Sequence, residues 1–228
     1  TVAPLALGPD WADVPSLWRS LESRLRVLAI QTGEPGPLAQ CAAAVDLAAW
    51  DLVARRAGSP LWRALGGNSG VARVYASGLH PAQAMDLART MHDRGHRAFK
   101  LKVGFEPGND RDMLAALRSM LGPDVALMVD ANQAWSTQAA RERIAMLAPS
   151  NPRWIEEPIA ADHDPPEWAA LSEAVPVPLA AGENLRGVQA FDALLASGAL
   201  GFVQPDVGKW GGFSGCREVA RHAARLPA

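Results

Sequence analysis

Six charged side chains between Phe99 and Asp206 define the chemistry open to this chain. Lys100 and Lys102 stand two apart in Ala98-Phe99-Lys100-Leu101-Lys102-Val103. Asp130 closes Leu127-Met128-Val129, and Glu156 closes Trp154-Ile155. Glu183 follows Ala181-Gly182, and Asp206 follows Phe202-Val203-Gln204-Pro205. Successive acids lie 26, 27 and 23 residues apart, about the length of a strand, a helix and two short loops. The charges therefore read as functional groups at the ends of five successive parallel strands. Gathered at one rim, two ammonium groups and four carboxylates repel or desolvate at high cost unless a cation compensates them. Asp130, Glu156 and Glu183, with no Cys or His among them, suit a hard divalent ion. That is Mg²⁺ rather than zinc or copper.

Each of these residues also has a plainer explanation. Lys100 and Lys102 point to one face of a strand, and on a half-exposed strand that face is merely solvated. In a parallel barrel both faces are covered, so the pair faces the lumen, where crowding lowers a lysine's pKa toward the range of a useful base. Asp130 alone could cap the next helix, as could Glu156 or Glu183; three in step are not what independent caps produce. Glu157 points away from Glu156 and is either an orienting or a structural acid. Asn132 and Asn184 either donate to a substrate or cap local turns. Asp206 either fixes the tautomer of a histidine on the next strand or caps the helix that begins near Gly212. His80 either lines the rim or is a turn residue. Lys209 is solvated or paired with a nearby acid. His92, His96, His163 and His222 carry no metal-ligand spacing.

The elements that must position these groups follow from hydrophobic period. Helices are expected over Asp10–Leu28, Ala39–Ala57 and Leu61–Leu65, the second buried between layers because it is apolar nearly all round. From Val71 strand and helix alternate six times. Strands are expected at Val71–Ala76, Ala98–Val103, Ala126–Val129, Trp154–Ile155, Leu179–Ala180 and Leu200–Val203. Helices are expected at Pro81–Asp93, Asp110–Leu121, Thr137–Leu147, Pro166–Ala174, Val188–Ser197 and Gly212–Leu226. This is an α/β pattern with a parallel sheet. A doubly wound sheet would carry a G-x-G-x-x-G after its first strand, which is missing here. A TIM-type (β/α) barrel over 71–228, preceded by a helical domain over 1–70, is expected instead. Six βα units do not close an eight-stranded barrel, so a truncated chain is expected, with a partial barrel completed by another chain as the alternative.

Composition bounds the partners. The chain has 228 residues, a formal charge of −2, 49% hydrophobic and 20% charged residues, ordinary for a globular protein. Nearly balanced charge points to no nucleic-acid partner. No apolar run approaches a membrane span and the first residues lack a signal-peptide pattern, so no membrane partner is expected. Cys41 and Cys216 are expected as free thiols in a reducing, cytoplasmic compartment.

Taken together, the motifs resemble the enolase superfamily, in particular its mandelate racemase/muconate lactonizing enzyme-like members. Lys100-Leu101-Lys102 is similar to the Lys-x-Lys motif of strand two. Asp130-Ala131-Asn132, Glu156-Glu157-Pro158 and Gly182-Glu183-Asn184 are similar to the three metal-ligand segments. Ala44 through Leu52, Gly58-Ser59-Pro60-Leu61 and Leu65-Gly66-Gly67 are similar to the capping-domain helix and its exit into the barrel. The resemblance covers nearly the whole chain, although the family's first capping strands have no counterpart in it. It implies Mg²⁺-assisted removal of the proton α to a carboxylate, through an enediolate. Lys102 is the implied base, with Lys100 touching the substrate carboxylate. Muconate-type members carry a lysine at position 206; Asp206, five residues before Gly211-Gly212, is similar to the mandelate racemase branch. There the aspartate pairs with a strand-seven histidine, expected beyond Ala228. The resemblance implies an acid-sugar dehydratase acting on a small carboxylate. The alternatives are a racemase or epimerase of a 2-hydroxy acid, and an inactive homologue or fragment. A homo-oligomer is expected.

Overall fold

The computed structural model describes residues 2–7 and 11–226. It divides into two compact units. Unit 1 holds residues up to Ala72 together with Gly182–Asp192 and Pro205 onward; unit 2 holds Arg73–Ala181 and Ala193–Gln204.

Unit 2 carries the sheet. Six strands, β1 (Ala76–Leu79), β2 (Ala98–Lys102), β3 (Ala126–Asp130), β4 (Ile155–Glu156), β5 (Leu179–Ala181) and β6 (Leu200–Val203), lie in the order β1-β2-β3-β4-β5-β6. Every adjacent pair is parallel. A sheet that always adds its next strand on the same side is wound as a barrel, not from a central switch point. Helices α5 (Ala84–Asp93), α6 (Pro107–Leu121), α7 (Thr137–Leu147) and α8 (Pro165–Glu173) alternate with the strands. They contribute Ala88, Leu114, Leu117, Ile144, Trp168 and Leu171 to the core. Along each strand the period of two separates Phe99, Leu101, Leu127, Val129 and Ile155, all buried, from the opposite face. On that opposite face Met128, Trp154 and Ala180 form an apolar layer with Tyr75, Ala98, Ala126 and Phe202. The charged ends of β2, β3 and β4 come next along the strands.

The first strand is displaced from its expected place. Val71–Ala76 was the β-branched run, yet Val71 and Val74 are 88% and 67% exposed and pairing begins only at Ala76↔Phe99. Local β propensity at 71–75 finds no neighbour, whereas Ala76 and Leu79 are buried against β2. The register shifts between those two residues, where Gly78 adopts φ +77°, a conformation open to glycine. His80 therefore follows β1 directly.

Unit 1 contains α1 (Ala3–Ala6), α2 (Val14–Thr32), α3 (Pro35–Arg56), α4 (Leu61–Ala64) and α10 (Gly212–Ala223); α9 (Val188–Ala196) begins in unit 1 and ends in unit 2. The expected start of the first long helix at Asp10 lies outside the described residues. Asp13 caps α2 by accepting from the Ser16 N–H at 2.7 Å. Leu17, Leu21 and Leu25 of α2 pack on Ala42 of α3. By length and composition α3 is apolar enough to cross a membrane. Its buried stripe, however, is Ala42, Asp46, Trp50 and Ala54, four residues apart, while Leu52 and Val53 are exposed. One face is covered rather than the whole circumference that was expected. A buried acid hydrogen-bonded on that face marks a core helix.

That acid is Asp46, which accepts from the Ser214 N–H at 3.0 Å. Trp50 Nε1 donates to the Ser214 hydroxyl at 3.0 Å. Gly212, at φ +54°, is required here because a Cβ would collide with the Asp46 side chain. Burial raises the Asp46 pKa above the ordinary carboxylate value, and hydrogen bonds from Ser214 and Phe213 offset it only in part. A folded chain that binds this proton more tightly than the unfolded chain loses stability as pH rises. The loss runs from the ordinary aspartate value up to the raised folded value. Asp46→Asn should therefore gain stability relative to wild type across that window. Urea unfolding at several pH values between about 3.5 and 7 checks this; a difference that does not change with pH contradicts it.

Candidate active site

The strand register of unit 2 builds the site. Lys102 pairs with Asp130 and Asp130 with Glu156 across β2, β3 and β4. The three form one row at the C-terminal ends of parallel strands, with Lys100 two residues behind on the same face. Neighbouring strands are about 4.8 Å apart, so the charged heads meet. Lys100 Nζ donates to both oxygens of Glu156 at 2.7 Å and lies 3.1 Å from Asp130 Oδ2. Lys102 Nζ reaches Asp130 Oδ2 and Asn132 Oδ1, each at 2.7 Å. The carboxylates are buried, as is Lys100, whereas the Lys102 side chain keeps 22% exposure. Lys100 also stands 5.5 Å from the centre of the Tyr75 ring, a cation–π contact from the apolar layer.

The loops after the strands are held tightly. Glu157 N–H donates to the Ala180 carbonyl at 2.9 Å, and Gln133 N–H to the Glu157 carbonyl at 2.7 Å. Asn132, Gln133 and Glu157 have positive φ of 46°, 64° and 39°, rare for residues with a Cβ. Strain of this kind persists where surrounding bonds over-determine the backbone. Asn132 N–H closes the turn on Asp130 Oδ1 at 3.0 Å. Gly104, at φ +104°, lies against Ala134, where a Cβ would approach within 2.8 Å, so the loop after Lys102 admits only glycine.

Electrostatics here depart from the expected lowered lysine. Burial pulls the Lys100 pKa down, but the hydrogen bond and charge of Glu156 and the charge of Asp130 outweigh it, and it ends above the ordinary lysine value. Burial pushes Asp130 up, but the Lys102 hydrogen bond and the charges of both lysines hold its pKa below the usual range. The acids, not the neighbouring amine, decide the outcome for Lys100.

Unit 1 presents a second group. Lys209 Nζ lies 3.3 Å from Glu183 Oε1 and 3.1 Å from Asn184 Oδ1, and Asn184 Nδ2 donates to Glu183 Oε1 at 3.2 Å. Lys209 is thus paired with an acid. Asp206 Oδ1 accepts from the Gly208 and Lys209 N–H groups at 2.7 and 3.1 Å, capping the turn that precedes α10. His80 is exposed, its ring 6.3 Å from that of Phe105.

Two contacts escaped the reading of the sequence. Gln204 Nε2 donates to Glu156 Oε2 at 2.9 Å, and Tyr75 underlies Lys100. Gln204 directly follows β6, but it is neutral and lacks the charge that marks the other strand-end residues.

Among the described residues, no three His, Cys, Asp or Glu side chains are gathered closely enough to hold a metal ion. Two acids, Asp130 and Glu156, are drawn together on one ammonium. That arrangement fits a hard cation: the donors are carboxylate oxygens, both are buried, and Lys100 already holds positive charge between them.

Comparisons with known proteins find relatives over most of the chain. The family model for enolase C-terminal domain-like proteins matches residues 83–226. A 3,6-anhydro-alpha-L-galactonate cycloisomerase from Streptomyces coelicolor is 36% identical over 94% of this chain and 59% of its own length. An L-talarate/galactarate dehydratase from Salmonella typhimurium is 33% identical over 99% of this chain and 58% of its own. The chain thus spans about three-fifths of these curated relatives. A crystal structure of a mandelate racemase/muconate lactonizing enzyme from Bordetella bronchiseptica superimposes with a TM-score of 0.95 at 48% identity, covering 99% of this chain and 62% of that one. A racemase from Streptomyces coelicolor with bound magnesium gives 0.90 at 35% identity, covering 98% and 67%.

Proposed function

The chain belongs to the enolase C-terminal domain-like family, among the mandelate racemase/muconate lactonizing enzyme-like proteins, and from that premise we propose that it removes the proton α to the carboxylate of a sugar acid, with Mg²⁺, and expels the β-hydroxyl to leave a 2-keto-3-deoxy acid. The observation that carries this reading is the pair of buried carboxylates, Asp130 and Glu156, meeting Lys100 and Lys102 at the ends of β2, β3 and β4. Relatives named for talarate, galactarate and anhydrogalactonate support a sugar acid as substrate. The relative structure named as magnesium-bound supports the metal.

In this proposal Asp130 and Glu156 hold the ion, and Glu183 is the third acid of the set. Magnesium, when bound, supplies positive charge against the charge that builds on the substrate's carboxylate oxygens. Lys102 is the partly exposed amine of the pair, the one a substrate would reach. Lys102 Nζ then takes the α-proton, and the C–H electron pair passes into the enediolate. Lys100, freed from Glu156, turns to the substrate carboxylate. The enediolate expels the β-hydroxyl, which leaves as water with a proton from an acid of the site, and the enol becomes the ketone. Asn132, Asn184 and His80 are proposed substrate contacts, and Asp206 the partner of a second base. Residues 1–70 serve as the capping domain, and the protein works as a homo-oligomer. Racemisation of a 2-hydroxy acid is the second reading, favoured by the relative structure named as a racemase.

The test is incubation with a panel of sugar acids in deuterium oxide, with and without Mg²⁺. Magnesium-dependent α-exchange together with a 2-keto-3-deoxy product is expected. Exchange with inversion and no keto product selects the racemase; absence of both exchange and product overturns the enzymatic proposal.

A further inference from the structure

Glu156 is held in two chemically different ways. Lys100 binds both of its oxygens with an ammonium at 2.7 Å. Gln204 binds only Oε2, with a neutral amide N–H at 2.9 Å. The two donors respond oppositely to a cation. An ammonium occupies the same lone pairs as a metal ion and is repelled by it, so the two compete. A neutral N–H uses one lone pair and leaves Oε1 and the outer lone pairs of the carboxylate open.

The fold also gives Gln204 a fixed base. Its N–H donates to the Ala181 carbonyl at 3.0 Å, so the residue continues the β5–β6 ladder. From there its side chain reaches past β5, whose Ala180 stands beside Glu156 in the register. The amide orientation is dictated by its partner, because only the NH₂ end can donate to a carboxylate. The remaining amide oxygen, Oε1, is buried and meets no hydrogen-bond partner among the described residues. An amide kept with one end unsatisfied indicates that the other end is needed.

We infer that Gln204 is a positioning residue that keeps the Glu156 carboxylate aimed at the cation after Lys100 has let go. Lys100 is the exchangeable placeholder of the metal-free state; Gln204 is the partner retained in both states. The inference rests on the proposed role of Glu156 as a magnesium ligand. Its failure can be told from failure of that role by including a Glu156 variant.

The experiment is calorimetric titration of metal-free protein with MgCl₂, for wild type, Gln204→Met, Gln204→His and Glu156→Gln, with thermal melting of each metal-free form. Gln204→Met keeps the length of the side chain and removes the donor. It should weaken Mg²⁺ binding about tenfold, the equivalent of one hydrogen bond to a charged group. Gln204→His, which keeps a ring N–H, should recover most of that loss. In turnover assays Gln204→Met should raise the magnesium concentration for half-maximal rate while the rate at saturating magnesium stays within about twofold of wild type; a residue that only supports the fold would instead lower the metal-free melting temperature without this split. Should Gln204→Met not fold, Gln204→Asn, whose amide is too short to reach, takes its place with the same expectation. Affinity within twofold of wild type for Gln204→Met, alongside lost binding in Glu156→Gln, overturns the inference and leaves the metal site standing. Full affinity in Glu156→Gln overturns both.

Discussion

Lys102→Ala lowers turnover by about three orders of magnitude in a protein that still folds. A positioned general base contributes roughly 10²–10⁴ in rate, and Lys102 is the lysine placed to be one. Its side chain keeps 22% exposure against 7% for Lys100, so it is the amine that a substrate can reach. Its removal also leaves Asp130 compensated, because Lys100 remains 3.1 Å away. The fold therefore survives, and the lost rate can be assigned to the missing amine. Turnover and α-deuterium exchange measured on the same preparation check this. Activity retained within tenfold removes Lys102 from the mechanism.

Lys100→Met should destabilise the metal-free protein by about 3–5 kcal/mol, the loss seen when one partner of a buried ion pair is removed. In a chain of this length that lowers the melting temperature by on the order of 10 °C. The cause is specific. Lys100 is the shared counter-charge of Glu156 and Asp130, and without it two carboxylates stand buried, one compensated by Lys102 alone and the other by the Gln204 amide. Methionine retains the packing, so the change isolates charge. Because magnesium supplies the missing charge, added Mg²⁺ should raise the variant's melting temperature by more than it raises that of wild type. Scanning calorimetry with chelator and with MgCl₂ reads both effects. Equal magnesium shifts in the two proteins would show that the ion does not bind beside Lys100.

Much of the fold was legible because its strands are short apolar runs closed by charge. β6 falls where it was expected, and β2, β3, β4 and β5 lie within a residue or two of the expected limits. The charge that closes a strand is itself a signal, since an ionised group at a strand end must leave the apolar layer. β1 was misplaced because Val71 and Val74 have the right residue type but no partner strand, and pairing is a tertiary fact that propensity does not contain. The helix around Asp46 reads as buried between layers because its sequence is apolar nearly all round near its middle. What decides its buried face is the Ser214 and Trp50 hydrogen-bond network formed with α10. In the site, Lys100, Lys102, Asp130 and Glu156 were visible as types and spacings. Their protonation was not, because the balance between burial and ion pairing depends on which heads touch. Gln204 was invisible for a related reason. A neutral amide at a strand end is common, and its bond to Glu156, 48 residues earlier, exists only once the sheet has formed.

The most direct measurement is a crystal of the protein soaked with Mn²⁺, an ion that takes the same oxygen ligands as magnesium, with diffraction recorded for its anomalous signal. The expected result is one strong peak at bonding distance from the carboxylates of Asp130 and Glu156, with the Lys100 ammonium moved off Glu156. A peak bonded by neither acid, or no peak at millimolar Mn²⁺ with both acids still clasping the lysines, contradicts the proposed chemistry.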